Sequence, residues 1–223
     1  MLKRKHDTFT YLDYCVQPAP EAPLLVMLHG YGSNEKDLIS LAPGLDRRLQ
    51  VISPQAPLHL GNEMYGWFPI EFTPQGITVD REAASRSRDL LAGFIRELIA
   101  TYRPAGGKVF LMGFSQGAVM NYLTAFSTPE LLHGVIALSG QLPDTRPEKA
   151  SATEALKSLP FLVVHGLYDD VLAVEKGREA GNWLKANVAD ITYREYPMAH
   201  QIDDNAFAVV SAWLKEKIDL LDI

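Results

Sequence analysis

The pentapeptide Gly113-Phe114-Ser115-Gln116-Gly117 follows the apolar run Val109–Met112 and opens a stretch of helical character. A serine held between two glycines in that setting sits on a sharp strand-to-helix turn, the nucleophile elbow. Both ends of such a turn lie close to neighbouring backbone, and a Cβ at Gly113 or Gly117 would collide with it. The turn pushes the serine Oγ into the open at the positive end of the helix dipole. The five-residue pattern arises by chance in about one chain in fifteen of this size, so the strand before it and the helix after it carry much of the weight. The chemistry is nucleophilic attack, and a serine hydroxyl needs a neighbouring base to attempt it at neutral pH.

Partners of such a serine follow it in the order acid, then histidine. Of the six histidines, His165 and His200 lie after Ser115 with a strand between. His165 closes the apolar run Phe161–Val164 and abuts Gly166, which reads as a packed residue. His200 stands in Pro197-Met198-Ala199-His200-Gln201, after the last expected strand and before the last expected helix, and is the candidate base. Asp169 and Asp170 both qualify as the acid by position, since both lie in the loop His165–Val171. Adjacent side chains point in different directions, so at most one of them can reach His200.

These residues need a scaffold that gathers loops at one end of a sheet. Leu24–Leu28, Val109–Met112, Val135–Leu138 and Phe161–Val164 are near-continuous apolar runs, as expected for strands covered on both faces. Val51–Ile52 is a weaker member of the set. Ile191–Tyr196 alternates and reads as an edge strand, and Phe9–Val16 is expected to pair antiparallel at the other edge. Helices are expected over Glu35–Leu49, Arg81–Tyr102, Gln116–Phe126, from Thr128-Pro129 onward, Val174–Val188 and Asn205–Leu221. Leu90, Leu91, Phe94, Ile95 and Leu98 share one face of the second of these. Alternating strands and helices imply an α/β fold with a mostly parallel sheet and helices on both faces, in a single domain over 1–223. In such sheets function gathers beyond the carboxyl ends of the strands.

Bulk properties narrow the partners. The chain has 223 residues, long enough to bury a core without disulfides or metal. Its net charge of −6 disfavours nucleic acid. No apolar run approaches the length of a membrane span, and the basic start lacks the apolar segment of a secretory signal. The single cysteine, Cys15, excludes an internal disulfide and any cysteine-cluster metal site. A cytoplasmic protein without a metal or other cofactor is the expectation.

Taken together, Leu28-His29-Gly30-Tyr31-Gly32, Pro54-Gln55-Ala56-Pro57, Gly66-Trp67-Phe68, Gly113–Gly117, Leu138-Ser139-Gly140, His165–Val171 and Met198-Ala199-His200 resemble, in order and over nearly the whole chain, the phospholipase/carboxylesterase family of α/β-hydrolases. That family includes small carboxylesterases and acyl-protein thioesterases. The resemblance implies an α/β-hydrolase fold without a large lid domain. Its H-G-x-x-D pattern selects Asp169 as the acid, with Asp170 standing where many members have proline. It implies an oxyanion hole from the backbone N–H groups of Tyr31 and Gln116. It places Tyr65, Trp67 and Phe68 near the substrate, within the long aromatic stretch Pro54–Asp80, which reads as poor in regular structure. An ordinary core role for these aromatics is the competing expectation.

The expected reaction is hydrolysis of small-molecule esters or thioesters through an acyl-enzyme on Ser115. Short to medium acyl chains lead; long-chain thioesterase or lysophospholipase action is the rival. A catalytically silent binding protein is the alternative of another class. A homodimer is compatible with the sequence.

Overall fold

Parallel strands covered on both faces should alternate their side chains between two apolar layers, and the chain does so. The computed structural model describes residues 1–6, 8–17, 19–73, 76–147 and 152–221. Eight strands form the main sheet: β1 (Leu2–Lys5), β2 (Thr10–Cys15), β3 (Leu24–Leu28), β4 (Gln50–Pro54), β9 (Val109–Phe114), β10 (Leu132–Leu138), β11 (Phe161–Gly166) and β12 (Ile191–Tyr196). Their order is β1-β2-β4-β3-β9-β10-β11-β12. The pairs β1–β2 and β2–β4 are antiparallel, and all later neighbours run parallel. Two hairpins stand apart, β5 (Leu58–Gly61) with β6 (Met64–Gly66) and β7 (Ile70–Thr73) with β8 (Gly76–Val79).

Within β3, Leu24, Val26 and Leu28 face one apolar layer while Leu25 and Met27 face the other. The first layer is closed by α1 (Arg81–Tyr102), α2 (Gln116–Ser127), α3 (Glu154–Ser158) and α4 (Val174–Asn187), through residues such as Leu91, Phe94, Tyr122, Leu156 and Leu184. The second is closed by α5 (Asp204–Asp219), through Val210, Trp213 and Leu214, and by a short 3-10 helix. Helix α1 opens on the Asp80 side chain, which accepts from the Ala83 N–H. Among the described residues no helix is long and apolar enough to cross a membrane.

Four expectations are corrected. The helix over Glu35–Leu49 is only a 3-10 helix at Leu38–Gly44 with Pro43 inside it. Proline lacks the N–H and its ring clashes with the carbonyl four residues earlier, so an α-helix cannot run through undisturbed. The segment after Thr128 is likewise a 3-10 turn, Pro129–Leu131. The strand β2 is not the edge: β1 lies outside it, fully exposed, and its Leu-Lys-Arg-Lys sequence carries no burial pattern to announce it. Finally, Pro54–Asp80 is not irregular but holds the two hairpins, which bring Gly66–Phe68 and Ile70 to the carboxyl end of the sheet.

Candidate active site

Ser115 follows β9 directly and precedes α2 at φ 54° and ψ −116°, a conformation that L residues rarely adopt. Its N–H donates to the Leu138 carbonyl of the neighbouring strand end at 2.9 Å, which pins the turn. A Cβ built on Gly113 would overlap the Gly117 carbonyl, and one on Gly117 would overlap the Leu28 carbonyl. Both contacts are with backbone, so the two glycines are a spatial requirement of the turn.

Asp169 lies in the turn after β11 and His200 in the loop after β12. The three side chains meet. Ser115 Oγ lies 2.9 Å from His200 Nε2, and His200 Nδ1 lies 2.8 Å from Asp169 Oδ2. The Asp169 side chain is fully buried. Its other oxygen, Oδ1, accepts from the Val171 N–H at 3.0 Å and the Leu172 N–H at 2.8 Å. Burial alone would raise the carboxyl. The Leu172 amide, His200 and the Val171 amide outweigh it, so the group is held below the usual aspartate range and stays ionised. An ionised carboxylate only accepts, so Nδ1 of His200 carries the proton and Nε2 is free to accept from Ser115. Phe114 packs against the imidazole with ring centroids 4.8 Å apart. Asp170 is exposed and takes no part in these hydrogen bonds.

Sequence reasoning read His165 as packed, and it is buried within β11. It also touches the relay. Its Nε2–H donates to the Leu172 carbonyl at 2.8 Å and passes 3.5 Å from Asp169 Oδ2. The ring thus braces the segment whose amides hold the acid.

The N–H groups of Tyr31 and Gln116 have no acceptor among the described residues. Gln116 heads α2, where the first amides have no intrahelical partner. Tyr31 sits on the loop after β3, where Gly30 packs against Ser115 and Phe114.

The Gln116 side chain was not anticipated. Its Oε1 accepts from the Trp67 N–H at 2.8 Å, and its Nε2 donates to the Phe68 carbonyl at 2.7 Å. Trp67 Nε1 donates to the His29 carbonyl at 2.9 Å. His29 is fully buried. Its Nε2 accepts from the Ala56 N–H at 3.1 Å and its Nδ1 contacts the Gly30 carbonyl at 2.7 Å. Burial lowers its pKa, partly offset by that carbonyl, and keeps the ring neutral. The motifs around His29, Ala56 and Trp67 are therefore one network that locks three loops in register; their contiguity in space was the signal missing from the sequence. Gln116→Leu is expected to strand the Trp67 N–H and Phe68 carbonyl, costing roughly 2 kcal/mol or more, readable by calorimetry as a Tm several degrees lower.

A cavity of about 170 Å³ opens beside Ser115. Phe68 lines it, together with Tyr31, Ile70, Val119, Val171 and Leu172. Tyr65 and Trp67 do not. Trp67 is buried behind the wall, and Tyr65, half-buried against the core, pairs with Ser33 through the backbone.

The sequence profile of the phospholipase/carboxylesterase family matches residues 15–218. The chain belongs to that family. It is thereby a carboxylic ester hydrolase of the α/β-hydrolase fold. Among curated relatives, it is 30% identical over 218 residues to acyl-protein thioesterase 1 of Aspergillus fumigatus, covering 87% of each chain. It is 25% identical over 207 residues to carboxylesterase SOBER1 of Arabidopsis thaliana, covering 87% of this chain and 90% of that one. Among solved structures, esterase PE8 superposes with a TM-score of 0.81 at 28% identity, over 93% of this chain and 98% of its own.

Proposed function

We propose that this chain is a serine esterase that hydrolyses carboxylic esters of short to medium acyl chain. The observation that carries the reading is the unbroken relay from Ser115 Oγ to His200 to Asp169, at 2.9 and 2.8 Å. Ser115 attacks the carbonyl carbon while His200 Nε2 takes its proton. The developing oxyanion turns to the Tyr31 and Gln116 amides, a reading supported by their lack of another acceptor among the described residues, with each donor worth ~10²–10³ in rate. Asp169 holds the imidazole tautomer and balances its charge. His200 then protonates the departing alkoxide, and water repeats the sequence on the acyl-enzyme.

The size of the cavity supports short chains. At about 170 Å³ it falls below the ~300–1,000 Å³ of pockets that engulf drug-sized ligands. A second reading, thioester hydrolysis, is favoured by the relatives named acyl-protein thioesterases, and the same relay would serve it.

The test is kcat/KM for p-nitrophenyl esters from acetate to palmitate. The expected profile peaks between butyrate and octanoate and falls at least tenfold by palmitate. A maximum at palmitate would replace this reading with a long-chain one. No turnover at any length, with no labelling of Ser115 by a fluorophosphonate, would leave a binding protein.

A further inference from the structure

The apolar slot beside Ser115 has a neighbour across a shared wall. A second recess of about 380 Å³ shares Val79, Val119 and Gln141 with it. Its other walls mix Ala84, Leu123 and Leu142 with a rim of charged side chains. Arg81 stands at the start of α1, Arg146 on the loop after β10, and Lys176 on α4. Among the described residues these three cations face two carboxylates. Arg81 Nη2 pairs with Asp144 at 2.6 Å. Glu179 is shared, 3.2 Å from Arg146 Nη2 and 4.0 Å from Lys176 Nζ. One carboxylate thus serves two cations, and the described lining holds three cations against two carboxylates in a chain whose net charge is −6.

The two compartments meet on the acyl side of the reaction. The leaving oxygen must reach His200 Nε2 to be protonated, so the alcohol departs on the His200 side. The recess touches neither Ser115 nor His200, and the way into it runs past Val119 and Gln141. A lengthening acyl chain that passes them leaves an apolar slot for one whose lining includes three cations. An alkyl end can touch Leu123 and Leu142 there but strips water from the charges beside them. An anionic end exchanges water for charge-assisted bonds to guanidinium and ammonium groups. The existing ion pairs oppose this only weakly, because all their members are partly exposed to solvent.

We infer that the enzyme accepts acyl groups bearing a distal anion, such as the half-esters of dicarboxylic acids, with the anion held by Arg146 and Lys176. The inference rests on the ester-hydrolase reading above and names the substrate class of that site. Arg146 and Lys176 are specificity residues; neither touches the reacting atoms.

The experiment compares kcat/KM for matched p-nitrophenyl esters: hexanoate with adipate half-ester, octanoate with suberate half-ester, decanoate with sebacate half-ester. The wild type is expected to favour the half-ester about tenfold or more at one of these lengths, through KM rather than kcat. Raising NaCl to 0.5 M should shrink that ratio, since exposed charges are screened. Arg146→Gln and Lys176→Gln should each lower it by about threefold to tenfold, and the double variant should bring it to one or below. Both residues are solvent-exposed in part, so folding is checked by Tm and by fluorophosphonate labelling of Ser115. A ratio at or below one at every length, with the alkyl esters still cleaved, overturns the charged recess and leaves ester hydrolysis standing. A high ratio untouched by both substitutions overturns the assignment to Arg146 and Lys176. Failure to cleave any ester removes the underlying reading and this inference with it.

Discussion

Ser115→Ala is expected to reduce kcat on p-nitrophenyl butyrate by about 10⁶-fold, and Asp169→Asn by about 10⁴-fold. The two losses have different causes. Alanine removes the attacking oxygen itself. Asparagine at 169 keeps the shape but not the charge: its oxygen can still accept from the Val171 and Leu172 amides, which turns its NH₂ group towards His200. The imidazole must then present Nδ1 as an acceptor, which puts the proton on Nε2, the atom that should receive one from Ser115. Asp170→Asn is the control, because that side chain is exposed and outside the relay; its effect should stay within about threefold. A large loss at Asp170 with little at Asp169 would reverse the assignment of the acid. Titrating active sites with a fluorophosphonate separates loss of chemistry from loss of folded protein.

Gly117→Ala is the second large effect, and it should be felt in stability as well as rate. The added Cβ would overlap the Leu28 carbonyl and crowd the His29 carbonyl. Both belong to β3 or the loop after it, so no side chain can swing aside. Helix α2 would have to lift away from the sheet, and α2 is buried along almost its whole length. Overpacking of this kind costs about 3 kcal/mol or more, equivalent to a fall in Tm of roughly 6–12 °C for a chain of this size. The displacement would also move Ser115 and the Gln116 amide together. A shift near 1 Å at such groups lowers rate by about 10²-fold. Calorimetry and kcat/KM on the same preparation test both halves, and an unchanged Tm would show that the turn has room that its geometry denies.

The parts of the molecule legible in the sequence are those governed by local rules. The central strands announce themselves as apolar runs because both faces are covered. The turn at Ser115 is readable because Gly113 and Gly117 are demanded by contacts a few residues away. The positions of Asp169 and His200 follow from the order of loops along the chain. What escaped was set by contacts distant in sequence. Strand β1 pairs with β2 while exposing every side chain, so no pattern marks it. The two hairpins within 54–80 are held by pairings between segments of three or four residues, too short for any alternation to mark them. Gln116 was legible as a backbone donor at a helix start, yet its side chain bonds to Trp67 and Phe68, some fifty residues earlier in the chain. Tyr65, Trp67 and Phe68 are neighbours in sequence, and the local chain direction alone decides that only Phe68 faces the slot. The charged recess joins α1, α4 and the loop after β10, three segments with no shared motif.

The backbone at Ser115 has a consequence beyond catalysis. A serine at φ 54° and ψ −116° occupies a region that glycine enters freely and serine does not, at a cost of about 1–3 kcal/mol. A chain selected for endurance alone would carry glycine at 115 and melt at a higher temperature. The residue kept there opposes the fold's own preference, so thermal stability and turnover pull in opposite directions at this position. Stabilising changes elsewhere in the sheet would give the turn more latitude, and screens that rank variants by melting temperature alone would drift towards inactive protein here.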